Sequence, residues 1–247
     1  MVTAGFLLGA YLVGSIPFGY LLLRVVRGVD VRSYGSHNIG AINVARAGGT
    51  WLGIATLLAD VGKAMAVVLA THRLAMSASV VAAAALLVML GHAYSLWFLL
   101  RDGHFAEGKS VACALGVMIG LACVGVLPWP LALTPLGLWI SGLLVPRAVT
   151  GYWHRISPVT MAATVCIPLV VWAAHPARPY LALSLAMAAL VLVRHRNNIK
   201  RLIAGTEPRL GQTPAQMLAD GQPASSWEHP GGRSEPIGKL QTAGGGR

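Results

Sequence analysis

Charge is what this chain has least of: only 11% of its residues are Asp, Glu, Lys or Arg, and the acids number just 8. A water-soluble domain carries about a quarter charged residues, so an ordinary soluble enzyme or nucleic-acid binder is excluded. Cysteine is scarce too. Cys113, Cys123 and Cys166 lie in apolar stretches without metal-ligand spacing, which argues against a disulfide framework or a zinc site. Internal repeats of solenoid period and a second soluble domain are also missing. What the chain has is 55% hydrophobic residues, the composition of a protein that lives in a bilayer. Its 19 basic residues give a net charge of +11, which in an apolar protein points to anionic lipid or phosphate before nucleic acid.

A bilayer core takes about 20 apolar residues per helix. The hydrophobic runs predict an all-α, polytopic membrane protein with about seven transmembrane helices, near 3–23, 51–71, 75–99, 111–128, 130–146, 156–174 and 177–193. Pro128-Trp129-Pro130 divides the fourth from the fifth as a tight hairpin, because two prolines remove backbone donors. The first run lacks a charged start and a small-residue cleavage site, so it reads as a retained helix. Pro17 should kink it, with Ser15 able to satisfy a freed backbone group. Residues 1–205 form one transmembrane domain on this reading, and the Gly-, Pro-, Ser- and Gln-rich stretch 206–247 a disordered cytoplasmic tail.

Basic residues orient the bundle. Sixteen of the nineteen Lys and Arg fall on one side; Arg73 and Arg178 lie opposite, and Lys63 sits inside the second span. The positive-inside rule then puts the N-terminus outside and the C-terminus in the cytoplasm.

Polar residues are rare enough for their positions to carry information. The first constellation, Tyr34 to Arg46, contains Ser36, Asn38, Gly40, Asn43 and Arg46. Its glycines let several N–H groups point into one concavity, and the side chains add donors, an arrangement suited to an anion. A solvated connecting loop would use the same residue types. The second runs from Gly103 to Ser110, with Gly108, Lys109 and Ser110 directly ahead of a span, so that a helix dipole, free amides and an ammonium coincide. A membrane anchor followed by an N-cap serine is the alternative. The string also fits G-x-x-x-x-G-K-S, but a nucleotide P-loop needs a preceding strand, and none is predicted.

The third constellation, Arg194 to Glu207, places His195 and Asn198 one helical turn apart, with Arg194 and Asn198 on the same face. Headgroup attraction is the ordinary role of such a basic cluster. Inside the second span, Asp60 and Lys63 are spaced to pair, either as a structural ion pair or as a functional site. Gly91-His92 reads both ways as well. His72, His154, His175 and His229 are interfacial or tail residues. All three loop constellations fall on the predicted cytoplasmic side, implying a phosphate-bearing substrate pair or a phospholipid headgroup beside helices with room for an acyl chain.

Taken together, these segments resemble the bacterial acyl-phosphate:glycerol-3-phosphate acyltransferases, a seven-span membrane family. The resemblance covers most of residues 8–211. It rests on Gly14-Ser15-Ile16-Pro17-Phe18-Gly19, the Ser36 to Arg46 stretch, Asp60-x-x-Lys63, Gly91-His92, Gly108-Lys109, His195-x-x-Asn198-Ile199-x-Arg201-Leu202 and Gly205-x-Glu207. It implies transfer of a fatty acyl group from acyl phosphate to glycerol 3-phosphate, giving lysophosphatidate and phosphate on the cytoplasmic side. It also implies roles for Ser36, Asn38, Asn43 and Arg46, for Gly108 and Lys109, and for His195, Asn198 and Glu207. This chain departs from the family pattern at His37, Glu107 and Ser110, where the family has Gly, and at Ile42, usually Thr.

Acyl phosphates are already activated, so the chemistry asks mainly for positioning and charge stabilisation. Arg46 and Lys109 would neutralise phosphates, Ser36, Asn38 and Asn198 would orient the reactants, and His195 would act as base or phosphate donor. Direct transfer without metal or cofactor is expected, because no base adjoins Ser36 to support an acyl-serine. The expected partners are acyl phosphate, glycerol 3-phosphate and membrane lipids, with no nucleic acid. The competing expectation, suggested by the altered Gly-Lys loop, is a non-catalytic lipid-binding or lipid-transporting paralogue.

Overall fold

A computed structural model describes residues 2–106, 108–150, 155–207 and 209. The described residues form helices and connecting turns with no strand. The helices are α1 (Val2–Ser15), α2 (Phe18–Arg27), α3 (Ala41–Gly48), α4 (Thr50–Arg73), α5 (Ala78–Ala93) and α6 (Leu96–Asp102). They continue as α7 (Val111–Cys123), α8 (Trp129–Thr150), α9 (Ile156–Ala173), α10 (Arg178–Arg194) and α11 (Arg196–Ile203). His154, His229 and nearly all of the predicted tail lie outside the described residues.

Five stretches are long and apolar enough to cross a membrane: Thr3–Arg27, Thr50–Arg73, Ala78–Asp102, Trp129–Val149 and Ile156–Ala173. The expected seven long spans thus become five among the described residues, with α7 a shorter apolar helix. α7 has 13 residues, about 20 Å at 1.5 Å per residue, well under a bilayer core of about 30 Å. Its run was expected to reach residue 128, but Gly125 turns at φ +75° and the chain leaves the helix at Cys123. α10 has 17 residues. The expected break before the fifth span is present: α8 starts at Trp129, within the Pro-Trp-Pro sequence.

The first and third spans are each broken, at the same level. Pro17 separates α1 from α2, and Ser95 separates α5 from α6. The two breaks satisfy one another. Ser95 Oγ donates to the Ser15 carbonyl at 2.6 Å, the Leu96 N–H reaches Ser15 Oγ at 3.3 Å, and Ser15 Oγ donates to the Tyr11 carbonyl at 3.0 Å. Backbone groups freed in an apolar medium must be paired, and here hydroxyls do it. The spans approach closely because Gly14 and Gly91 face each other's backbones. A Cβ on Gly14 would overlap the Val88 carbonyl, and one on Gly91 the Tyr11 carbonyl, which is the small-residue packing expected where the hydrophobic effect cannot drive helices together.

Two cores result. The larger joins α4, α5, α7 and α10 through Val68, Val88, Met89, Val117, Leu121 and Met187. The smaller lies beneath the loops and contains Tyr20, Leu23, Val31, Ile39, Val44, Phe98 and Ala106. It fixes the first constellation's loop on a rigid base.

Candidate functional site

The first loop is organised by Asn43. Its Oδ1 accepts the Ser36 N–H at 3.1 Å, and its Nδ2 donates toward the carbonyls of Val31, Tyr34 and Asn38, each at 2.9 Å. Expected to bind an anion, Asn43 instead uses its hydrogen-bonding capacity on the loop's own backbone. Asn38 differs. Its Oδ1 accepts the Gly40 N–H at 2.7 Å at the start of α3, while its buried Nδ2 has no partner among the described residues. A backbone N–H can only donate, so this bond assigns the oxygen and leaves the amide donor over. A buried donor without an acceptor costs about 1–3 kcal/mol, and a ligand oxygen would relieve it. Ser36 Oγ and the Arg46 guanidinium likewise make no hydrogen bond or ion pair among the described residues.

The third segment closes over this loop. Glu207 is buried and accepts hydrogen bonds from Ser157 Oγ, from Asn198 Nδ2 at 2.8 Å and from Arg201 Nε at 2.7 Å. Burial alone would raise its carboxyl, but Ser157, Asn198 and Arg201 together hold it below the usual range. Glu207, expected to meet substrate, therefore orients Asn198 and Arg201. Asn198 Nδ2 also reaches Ser157 Oγ at 2.8 Å, so its Oδ1 is what it offers a ligand. Arg155 Nε ties this end down by donating to the Glu207 carbonyl at 2.7 Å.

The helix expected to carry Arg194, His195 and Asn198 on one face bends at His195, where α10 ends and α11 begins. Arg194 then points to the second loop, donating from Nε to the Gly108 carbonyl at 2.9 Å, and Asn198 points to Glu207. His195 Nδ1 lies 2.8 Å from the Val191 carbonyl. A carbonyl only accepts, so Nδ1 carries the hydrogen and Nε2 is the acceptor nitrogen. Burial pushes His195 down to about 4; the bond to Val191 and the Glu207 charge oppose this, and Lys109 and Arg201 add to it. At neutral pH the ring is therefore uncharged.

The second loop packs against α5. A Cβ on Gly108 would overlap the His92 carbonyl, so close helix contact accounts for this glycine. Ser110 precedes α7 but does not cap it. It sits at φ +58°, and its hydroxyl donates to the Met89 carbonyl at 2.8 Å. His37 is likewise left-handed, at φ +56°, with Nδ1 held 2.7 Å from the Arg32 carbonyl. Both are positions where the resembled family has glycine. Each holds a backbone conformation that glycine adopts readily, and a side-chain bond to a carbonyl offsets the strain.

Charges from all three segments meet here. Burial pulls the Arg46 guanidinium below its ordinary value, the Glu207 charge acts against that, and Arg201 acts with it. His195 feels Lys109, Glu207 and Arg201 together. Glu207 and Arg201 of the third segment thus act on Arg46 of the first, while Arg194 of the third bonds the carbonyl next to Lys109 in the second. Sequence reasoning missed Ser157 and Arg155; a Ser-Pro at the start of an apolar helix was the available signal.

One buried cluster lies just behind. Lys63 Nζ is 2.7 Å from Asp60 Oδ1, 3.0 Å from His92 Nδ1 and 2.9 Å from the Ile16 carbonyl at the break before Pro17. The predicted Asp60–Lys63 pair is present and extends to His92. Asp60, His92 and Cys113 bring ligand atoms within 4.8 Å of one another, yet the ammonium already neutralises the carboxylate where a metal ion would stand. The G-x-x-x-x-G-K-S string has no strand before it among the described residues, so it is no nucleotide P-loop.

A helical membrane protein whose loops gather cationic and amide donors around a neutral imidazole is built to handle anions at a lipid boundary. Residues 4–205 match the family model described as glycerol-3-phosphate acyltransferase. A glycerol-3-phosphate acyltransferase of Synechococcus sp. (strain JA-2-3B'a(2-13)) is 42% identical over 205 residues, covering 83% of this chain and 93% of that protein. One from Geotalea daltonii is 39% identical over 201 residues, with 81% and 94% covered. Two crystal structures of PlsY, an integral membrane glycerol 3-phosphate acyltransferase, superpose with TM-scores of 0.73 and 0.72 at 31% and 30% identity. The first, in the glycerol 3-phosphate form, covers 85% of this chain and 96% of that one; the second, in the lysophosphatidic acid form, covers 89% and 100%. The chain belongs to the glycerol-3-phosphate acyltransferase family.

Proposed function

We propose that this protein transfers a fatty acyl group from acyl phosphate to a hydroxyl of glycerol 3-phosphate, releasing lysophosphatidate and inorganic phosphate. The bacterial inner membrane holds it with the N-terminus outside and the site at the cytoplasmic face, as the distribution of basic residues supports. The single observation that carries the reading is the hydrogen bond from Arg194 Nε to the Gly108 carbonyl at 2.9 Å, which brings the segment of His195 against the loop of Lys109; the Glu207 and Arg201 charges of that same segment act on Arg46.

The chemistry needs two mutually repelling anions held side by side. Arg46, Lys109 and the Asn38 amide supply donors to the phosphates, and Ser36 Oγ supplies one more. His195 Nε2 takes the proton from the attacking hydroxyl as its oxygen adds to the acyl carbonyl carbon. The bond from that carbon to the phosphate oxygen then breaks, and the electron pair leaves with phosphate, its charge stabilised by the same cations. Asn198 Oδ1 helps to align the hydroxyl.

The test is release of inorganic phosphate by purified protein given acyl phosphate and glycerol 3-phosphate. Release that depends on both substrates, and is lost in Lys109→Ala and in Arg46→Ala, is the expected result. No release with any acyl donor would instead leave a lipid-binding or lipid-transporting paralogue.

A further inference from the structure

The segment from Gly103 to Ser110 carries Lys109, and its described residues belong to no helix. α6 ends at Asp102, Gly103 turns at φ +74°, and α7 begins only at Val111. Its carbonyls therefore need donors from elsewhere. Arg194 supplies them. Its Nε donates to the Gly108 carbonyl at 2.9 Å, and its Nη2 reaches the Ala106 carbonyl at 3.4 Å. The guanidinium lies over the Tyr94 ring, 4.8 Å from the centroid. On the other side, Gly108 abuts the His92 backbone, and Ser110 Oγ is tied to Met89. The residues flanking Lys109 are thus fixed from both directions, and Arg194 is the only one of these ties that leads to the segment carrying His195.

We propose that Arg194 is a positioning residue: its planar fork clamps the Gly108 loop against the end of α10 and so sets Lys109 relative to His195. The proposal rests on reading Lys109 as an anion-holding residue. Its chemistry favours arginine, because a rigid fork reaches two carbonyls from separate nitrogens while its centre lies over an aromatic ring, and an ammonium is a single point on a flexible stem that cannot span all three at once. A juxtamembrane arginine that merely attracts anionic headgroups would tolerate lysine.

The experiment uses the full-length enzyme in vesicles made with and without phosphatidylglycerol, comparing wild type, Arg194→Lys, Arg194→Gln and Lys109→Arg. Phosphate release gives kcat and KM for acyl phosphate, and amide hydrogen exchange follows residues 103–110. Both Arg194 variants should lose about tenfold to a hundredfold in kcat/KM, the scale of a misplaced catalytic group. The loss should be equal in both vesicle types and should fall on the parameter that Lys109→Arg changes. Exchange over 103–110 should quicken while α10 keeps its protection. Wild-type kinetics in Arg194→Lys, a loss that disappears without phosphatidylglycerol, a loss on a different parameter, or unchanged exchange would each overturn the clamp. If Arg194→Gln fails to fold, Arg194→Lys decides. If wild type releases no phosphate, the acyltransferase reading fails, and exchange over 103–110 still judges the clamp.

Discussion

Two arginines flank the first loop and meet opposite fates. Arg32 is paired through all three nitrogens: Nε and Nη2 donate to Asp30, Nη2 at 2.7 Å, Nη1 donates to Asp102 at 2.6 Å, and its guanidinium lies 4.5 Å from the Phe98 ring centroid. Asp30 and Asp102 raise it above its ordinary value, against the effect of burial. Arg46 has no such partners among the described residues, and burial drives it the other way. A cation whose every nitrogen is paired within its own chain is holding a corner together. One half-buried with no donor matched among the described residues is, on the proposed reading, placed for a ligand that brings its own negative charge.

The largest expected effect separates the two directly. Arg46→Gln should cut phosphate release about a hundred- to thousandfold, the scale for losing a donor to developing charge, with thermal stability unchanged or slightly raised. Arg32→Gln should lower stability by about 2 kcal/mol, typical of lost hydrogen bonds to charged groups, while the folded fraction stays active. If both variants lost activity with stability intact, the distinction would fail.

His195 sharpens the comparison through pH. Its pKa is depressed to about 4 from an unperturbed 6.5, so between these values the unfolded chain holds more protons than the native one. Stability therefore rises with pH across that window and is lost as the medium is acidified from about 6.5 toward 4. Melting temperature in detergent should fall accordingly, and His195→Gln should flatten the dependence in that range. Phosphate release should show no limb near the ordinary histidine value, because the ring is already neutral there.

The smallest effects belong to the two left-handed residues. Ser110→Gly and His37→Gly each remove backbone strain and also a side-chain bond, so each should change stability by less than about 1 kcal/mol, as measured by thermal melting. Ser110→Val should cost clearly more, since a β-branched residue tolerates φ +58° poorly. Equal melting temperatures for Gly and Val would show that Ser110 is not strained.

Much of the fold was legible in the chain. Apolar runs located the helices, Pro17 located the first break, and the three-residue spacing of Asp60 and Lys63 located a buried pair. The length of α7 was not legible, because nothing in an apolar composition marks Gly125 as the turn that ends the run. The bend at His195 escaped for a similar reason: helical spacing assumes a continuous helix. Within the site, residue type could not tell Asn38 from Asn43. Both are loop asparagines, and only the positions of surrounding carbonyls reveal that one is used up by the loop while the other keeps an unmatched donor.

By itself the sequence determined that this is a helical membrane protein with its cations gathered beside three polar segments, because hydropathy and charge are additive along a chain. Which cations are matched and which remain open was decided by the tertiary structure alone. Satisfaction of a donor depends on acceptors far away in sequence: Asp102 for Arg32 and the Gly108 carbonyl for Arg194.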